Sequence, residues 1–290
     1  MKHLNLIFIL IIVFTACEPK AIDIDVPPAE TKLVISSQII PNRVMIVSVT
    51  GSFSALENKH EKDSLSKGFL DSIFVSNALV TVSYFGQTDT LNMISPGLYA
   101  SVNTLQNNYG TYNLYTKDPA TGLEVTASTT LLPQVRFDSV YPSIIKTPID
   151  SVVNLYYELS DNLNTVNYYV VNYVRKLNAG NSSLDINQVF SNGNNSFQTY
   201  FDLLNDDSFN KGKLAMNKKL EHVTPHDSIA VMVSNISKSY YDFLSAYKRS
   251  GSFFNQLTGE PINYPSNINN GYGYFNAHYP TIRYFDLKNY

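Results

Sequence analysis

The sequence predicts a mainly β protein made of two successive β-rich regions. The first observation is that apolar and polar residues alternate over short runs, which are separated by turn residues such as Pro, Gly and Asn. The second is composition: 21 Tyr and 16 Phe accompany a charged fraction of only 16%, and such residues suit half-buried pleated surfaces. The third is that one helical pattern stands out, so one or two short helices are expected.

Residues 31–134 are predicted to form a β-sandwich, because about seven short strands with regularly spaced turns are typical of that architecture. Strand patterns occur at 32–39, 44–49, 78–85, 89–93, after the turn at 95–99, and at 111–115 and 123–129. The order NALVTVS, PGLYAS, GTYNLYTKD, GLEVTASTT resembles transthyretin-like and carboxypeptidase-regulatory modules. An immunoglobulin- or transthyretin-like sandwich with a structural or binding role is therefore expected.

Residues 135–290 are predicted to form the second β-rich domain. Strand patterns occur at 135–140, 152–159, 167–174 and 227–234, with a loop expected through Pro142 and Pro148 and a mobile loop over 178–196. The helix spans 238–250, with Ser237 as its N-cap and Gly251 as its stop. Its apolar positions 240, 244 and 247 share one face, which is expected to cover one end of the second sandwich.

The N-terminus predicts a lipoprotein. Residues 1–16 combine a basic start with an apolar run that is too short to span a bilayer, which is typical of a signal peptide. The only cysteine, Cys17, follows directly, and this arrangement resembles the bacterial lipobox. Residues 17–30 contain paired prolines and read as a lipidated tether. The alternatives are a cleaved signal with a chance cysteine, or an N-terminal anchor helix.

Acylation of Cys17 would hold the protein on a membrane, because two or more acyl chains anchor firmly where one binds only marginally. Glu18 resembles the surface-export signal of Bacteroidetes lipoproteins, or is simply a solvated charge of the tether. The net charge is −3, with 21 Lys and Arg against 24 Asp and Glu. Without a basic stripe, nucleic acid is not expected as a partner.

Several stretches together resemble the outer-membrane lipoproteins of domain-of-unknown-function family 4249 in Bacteroidetes. They are TKLVISSQI, NALVTVS, GLYAS, NYYVVNYV, NDDSFNKGK, SKSYYDFLSAYKRSG and EPINYPSNINNGYGYF. The most specific is the ending at 265–275, in which Tyr272 and Tyr274 replace common aliphatic residues. The resemblance implies an outer-membrane location and a TonB-dependent transporter as companion, and it implies no reaction.

Candidate catalytic and metal-binding patterns are weak. Glu221, His222 and His226 lack zincin order, and Pro225 would break the helix that a zincin needs, so a polar loop is the better interpretation. The turn at 161–164 lacks the glycine and distal glutamate of an EF-hand. No catalytic residue, metal or cofactor is predicted. Gly271 and Gly273 are interpreted as a turn that needs unusual backbone angles.

The C-terminal aromatic residues are the candidate ligand or partner contacts. Tyr272, Tyr274, Phe275 and Tyr279 could form a stacking platform for a sugar or an aromatic ligand, with Tyr284 and Phe285 nearby. The alternative is that they pack inside a sandwich. Separately, six Asp-Ser/Thr-aliphatic tripeptides resemble an O-glycosylation sequon of Bacteroidetes. Ser64 in the charged insertion is the site where modification is expected, and the alternative is that this short motif arises by chance at strand starts.

The predicted function is therefore a non-catalytic binding or accessory subunit of a TonB-dependent nutrient transporter, held on the outer membrane and facing the cell exterior. A small molecule, a glycan or a peptide is the expected kind of ligand. The alternative is a structural or adhesive surface sandwich. A hydrolase is a third hypothesis, and no convergent nucleophile supports it.

Overall fold

The computed structural model describes residues 30–53, 73–105, 109–146, 151–177, 197–250 and 264–290. Across these ranges the chain forms sixteen strands in three sheets, one α-helix and two 3₁₀ turns, which confirms the mainly β prediction. The signal, Cys17 and the rest of the tether up to residue 29 lie outside the described residues. The same holds for Ser64 with its charged insertion, the loop 178–196, Pro148 and Gly251.

Several of the strands alternate in burial as the sequence pattern predicts, and others are buried or exposed along most of their length. In chain order they are β1 Leu33–Ile39, β2 Val44–Gly51, β3 Leu79–Tyr84, β4 Gln87–Ser95, β5 Leu98–Thr104, β6 Gly110–Lys117, β7 Glu124–Leu131, β8 Phe137–Lys146, β9 Ser151–Ser160, β10 Tyr168–Lys176, β11 Phe197–Asn205, β12 Lys213–Leu220, β13 Ser228–Ile236, β14 Ile268–Asn269, β15 Tyr272–Ala277 and β16 Thr281–Asp286. The helix, α1, is Lys238–Ser250, and the 3₁₀ turns are Asp206–Ser208 and Leu287–Asn289.

The first region is a nine-stranded sheet in the order β14-β7-β6-β3-β4-β5-β2-β1-β15. In β7 every second residue is buried, so that one side of the strand faces the core and the other faces solvent. The core includes Ile35, Val47, Val82, Tyr112 and Leu114, all of them almost completely buried. The sheet therefore curls around a single apolar interior, as in a sandwich or an incompletely closed barrel.

The second region packs a four-stranded sheet, β11-β10-β13-β16, against a three-stranded sheet, β12-β9-β8. Side chains from both sheets share one core, including Val153, Leu155, Val171, Val231 and Phe285. The loop expected at Pro142 is wrong, because β8 continues through this residue. Proline is tolerated there because β8 is an edge strand, where a missing backbone N–H costs little. Strands β11, β12 and β16 of this region were not predicted from the sequence.

The C-terminal part of the chain returns to the first sheet. Strand β15 pairs in parallel with β1, and β14 pairs antiparallel with β7 at the opposite end of the strand order. The two edge strands of the nine-stranded sheet, β14 and β15, therefore follow each other directly in the chain. The short turn between them brings the two edges together and nearly closes the sheet. The predicted domain boundary between residues 134 and 135 stays a prediction. Strands β14 and β15 belong to the first sheet although they lie near the C-terminal end of the sequence.

Helix α1 begins where the sequence predicts. The Ser237 hydroxyl accepts a hydrogen bond from the Tyr240 backbone N–H at 3.2 Å, as an N-cap does. The helix packs against β10, β11 and β15, with Tyr240 and Ala246 buried. It therefore lies on the outward face of the four-stranded sheet and also touches the first region.

Candidate binding site at the junction of the two regions

The closing segment, residues 266–277, holds the first sheet together through backbone contacts. Asn267 donates from Nδ2 to the Phe275 carbonyl at 2.7 Å and accepts from the Phe275 N–H at 2.9 Å. Ile268 and Phe275 are buried in the first core. Gly273 has a φ of 96°, and a Cβ there would lie 1.9 Å from the Ile35 carbonyl oxygen. This confirms the prediction of unusual backbone angles at Gly273, whereas Gly271 is not among the described glycines with a positive φ.

Strand β15 has one face in each region. Phe275 and Ala277 point into the core of the first sheet. Tyr274 lies instead in a cluster with Val170, Ile236 and Tyr240 of the second region. Because side chains alternate along a strand, Asn276 shares the face of Tyr274. This second face forms the junction between the two regions.

One end of the junction is aromatic. The Tyr274 ring lies 4.9 Å from Tyr240 and 5.0 Å from Phe243, measured between ring centroids. The Tyr274 hydroxyl donates to Ser239 Oγ at 2.7 Å, and Gln38 Nε2 donates to the Tyr240 hydroxyl at 3.3 Å. Burial raises the pKa of Tyr240 above its ordinary value. These phenols are therefore neutral packing residues with satisfied hydroxyl groups.

The other end of the junction is polar. His278 is buried, and its Nδ1 lies 3.0 Å from Ser234 Oγ on β13. Burial lowers the pKa of His278 to about 4, because a charged imidazole loses its hydration there. Within the described parts of the chain, His278 Nε2 and Asn276 Nδ2 have no hydrogen-bond partner. An unpaired buried polar atom costs free energy, so these two nitrogens weaken the packing of the two regions at the polar end of the junction.

An open depression of about 480 Å³ lies beside the polar end. The described residues that line it are Gln134, Arg136, Tyr279, Pro280, Thr281, Ile282 and Arg283. They come from the connection before β8, from the connection after β15 and from β16. This described lining contains two arginines and no acidic residue. The depression is the candidate binding site.

The predicted aromatic platform is spread over three environments. Tyr272 is exposed, with the Lys32 ammonium 5.3 Å from its ring centroid. Tyr274 and Phe275 are buried on opposite faces of β15. Tyr279 lines the depression, and its hydroxyl accepts from Asn42 Nδ2 at 3.3 Å. The structure therefore does not gather these four side chains on one surface, and only Tyr279 lies at the candidate site.

The loop at 221–227 has a structural role. His222 and His226 are exposed, whereas Asp227 is buried and accepts hydrogen bonds from Arg175 at 2.6 and 2.9 Å. Arg175 also donates to the carbonyls of Glu221 and His222. Across the described ranges, no group of three or more His, Cys, Asp or Glu residues is placed to hold a metal ion. The loop therefore closes the second core around one ion pair.

Sequence reasoning missed Arg136, Arg283 and Gln134. They have no motif and lie in distant parts of the chain, so that only the fold brings them together. A local signal existed only for Tyr279, which belongs to the aromatic C-terminus. In the described parts of the chain, no helix has the length and apolar character required to cross a membrane.

Comparison with known proteins identifies the family. The model for a domain of unknown function (DUF4249) matches residues 20–281, so the chain belongs to this family, as its motifs predicted. No curated protein matches the chain. Among solved structures, the crystal structure of trypsin-activated alpha-2-macroglobulin from Escherichia coli matches with a TM-score of 0.24 and 12% identity. That match covers 72% of this chain and 15% of the other chain.

Proposed function

We propose that this DUF4249 protein is a non-catalytic lipoprotein of the bacterial outer membrane that binds a solute or peptide for a TonB-dependent transporter. The observation that carries the proposal is Cys17, the only cysteine, placed directly after a short apolar run. Acylation there gives the protein a fixed place at the envelope. A body built on two packed regions then presents a binding surface above the membrane.

The shape of the junction supports a binding role. The depression lies where two separate parts of the chain meet, and sites between structural units are common places for ligands. Its lining combines guanidinium, amide and phenol groups with the ring of Pro280. Such a mixture orients a ligand through a few polar contacts.

The buried ionisable groups of the described residues support a binding protein more than a catalyst. Arg175 and Asp227 neutralise each other inside the second region. His278 is held against Ser234 with its pKa lowered by burial, away from solvent. Both arrangements keep the ionisable group inside the protein, and neither offers an exposed reacting atom.

The test is substitution of Cys17 by Ser in the native host. We expect the wild-type protein to carry fatty acid on Cys17, seen by mass spectrometry, and to fractionate with the outer membrane. We expect the C17S protein to leave that fraction. Affinity purification of the wild-type protein should recover a β-barrel transporter, and protease treatment of intact cells should degrade a surface-exposed body.

A matched control is Ser36→Ala, which changes an exposed hydroxyl on β1 and leaves the anchor intact. Its fractionation should equal that of the wild type. An unmodified Cys17 thiol in the native protein would refute the anchor. Recovery of an acylated protein with no transporter would refute the partner but leave the anchor in place.

The alternative function, a structural or adhesive surface protein, is favoured by one observation. Exposed apolar side chains lie on neighbouring strands of the first sheet, namely Val44, Ile46, Met93, Ile94 and Val102. A deletion strain that loses attachment but keeps nutrient uptake would favour this function. Loss of uptake with normal attachment would favour the transporter role.

A further inference from the structure

We infer that the depression beside Tyr279 binds a small carboxylate through Arg136 and Arg283, with the body of the ligand against the Tyr279 ring. This inference rests on the binding role proposed above and names the chemical class of the ligand. It does not depend on the lipid anchor or on the transporter. The arguments come from the positions, charges and partners of the lining residues.

The backbone segments that carry the two exposed arginines are held together by hydrogen bonds. Thr281 Oγ1 donates to the Val135 carbonyl at 2.5 Å, next to Arg136 in the chain. Gln134 Nε2 donates to the Pro280 carbonyl at 3.3 Å. These bonds join the connection before β8 to the start of β16, which carries Arg283. The site is therefore built on fixed backbone, which lowers the entropy cost of binding.

The charge of the depression is unbalanced. Within the described residues, the guanidinium groups of Arg136 and Arg283 form no hydrogen bond and no ion pair, although the Arg283 backbone pairs with Val231 in the sheet. The chain as a whole has a net charge of −3, so a depression lined by two cations is a local exception. In contrast, the buried Arg175 has its carboxylate partner, Asp227. An anionic ligand would supply the missing partner at the depression.

The chemistry of the lining selects the class of anion. A guanidinium group presents a planar fork of N–H donors that matches the two oxygens of a carboxylate. The Gln134 amide nitrogen already donates to the Pro280 carbonyl, and its side-chain oxygen is the acceptor that suits a ligand hydroxyl group. Tyr279 is partly exposed and adds a ring surface on which an aliphatic or sugar ring can pack, whereas Pro280, the next residue, is buried. A carboxylate on a ring-shaped body, such as an acidic sugar, satisfies all of these groups.

The experiment compares galacturonate with galactose. The two sugars have the same ring, but galacturonate carries a carboxylate where galactose carries a hydroxymethyl group. Binding to the mature, detergent-solubilised protein is measured by isothermal titration calorimetry at low salt, with inorganic phosphate as a further probe. We expect galacturonate to bind, galactose to bind at least tenfold more weakly, and added salt to weaken galacturonate binding.

The variants are R136Q and R283Q, singly and together, with R249Q as the matched control. Arg249 is an exposed arginine on α1 that does not line the depression. We expect each single variant to weaken galacturonate binding about tenfold, because a charge-assisted pair is lost. R249Q should bind as the wild type does. The charge-conserving variant R136K/R283K should fall between the wild type and the double Gln variant, and circular dichroism checks that each variant folds.

Three results would overturn the inference. They are equal binding of galacturonate and galactose, unchanged binding by the double Gln variant, and the same loss of affinity in R249Q. Phosphate binding that equals galacturonate binding would overturn the assignment to ring-bearing carboxylates. Each of these results leaves Cys17 acylation and transporter recovery unaffected, so the two proposals fail separately.

Discussion

The two regions close their cores in different ways. The first core takes Ile268, Phe275 and Ala277 from the far end of the chain, where β15 pairs with β1. The second core is built from residues between Phe137 and Leu287 and is closed by a buried ion pair. The first core is closed where the Gly273 backbone lies against the Ile35 backbone, and the second core is closed where Asp227 neutralises Arg175.

This difference has a consequence for folding. Contacts between residues far apart in sequence form late, because a long loop must first be closed. The first region therefore reaches its full strand complement only after residues 272–277 are available. Because synthesis proceeds from the N-terminus, closure of the first sheet waits until residues 272–277 have been made.

The largest effect is expected from Gly273→Ala, which tests the backbone closure. A Cβ at this position meets the Ile35 carbonyl oxygen at 1.9 Å, and φ is 96°. We expect the free energy of unfolding to fall by about 5 kcal/mol, which is at the upper end for a single substitution and indicates a severe steric clash. Hydrogen exchange should show lost protection in β1 and β15, with β10 and β13 less affected.

The matched control for this prediction is Gly122→Ala. Gly122 also has a positive φ, 75°, but an added Cβ there meets nothing within 4 Å. We expect the free energy of unfolding to fall by about 1 kcal/mol, because only backbone strain is introduced. Equal losses in the two variants would show that close approach to Ile35 is not what makes Gly273 necessary.

The next effect is expected from Asp227→Ala, which tests the closure of the second core. The substitution leaves the buried Arg175 without its carboxylate, and breaking such a pair costs about 3–5 kcal/mol. Protection should be lost first in β10 and β13, as measured by hydrogen exchange. Lys219→Ala breaks an exposed pair with Glu221 and should cost no more than about 1 kcal/mol. A similar loss in both variants would contradict a special role for the buried pair.

The smallest effect concerns His278, which lies where the two regions meet. Its pKa falls from 6.5 to about 4 on burial, so the unfolded chain binds a proton more readily than the folded chain. The contribution of His278 to stability is complete above pH 6.5. It decreases as the pH falls toward 4, by up to about 3 kcal/mol.

The measurement for His278 is chemical unfolding of the wild type and H278Q between pH 7 and pH 4. The stability of H278Q should depend less on pH than that of the wild type over this window. His226→Gln, at an exposed histidine, is the control and should retain the wild-type pH dependence. The same pH dependence in the wild type and H278Q would refute the link between burial and acid sensitivity.

Much of the fold was accessible from local pattern. The helix at 238–250 and its Ser237 cap were predicted, because apolar spacing and capping chemistry are properties of neighbouring residues. Strand β12 was missed because its sequence, KLAMNKKL, is rich in lysine and only partly buried. The segment 265–275 was recognised as a family motif. Its role in closing the first sheet could not be predicted, because its partners β1 and β7 are far away in the sequence.

The candidate site shows the same limit. Tyr279 was a sequence candidate because it belongs to an aromatic run, whereas Arg136 and Arg283 have no local signal. The tyrosines that depart from the family pattern are explained by tertiary contacts. Tyr274 reaches Ser239 through its hydroxyl, and Tyr272 contacts the Lys32 ammonium through its ring.

The sequence by itself determined that this is a mainly β member of its family, where its helix begins, and where many of its strands lie. It also predicted the anchor at Cys17. Only the tertiary structure decided that β15 lies beside β1, that Asp227 neutralises Arg175, and that Arg136 and Arg283 share a depression. Alternation along a strand specifies which face is buried, but the partner of that face is chosen by long-range packing.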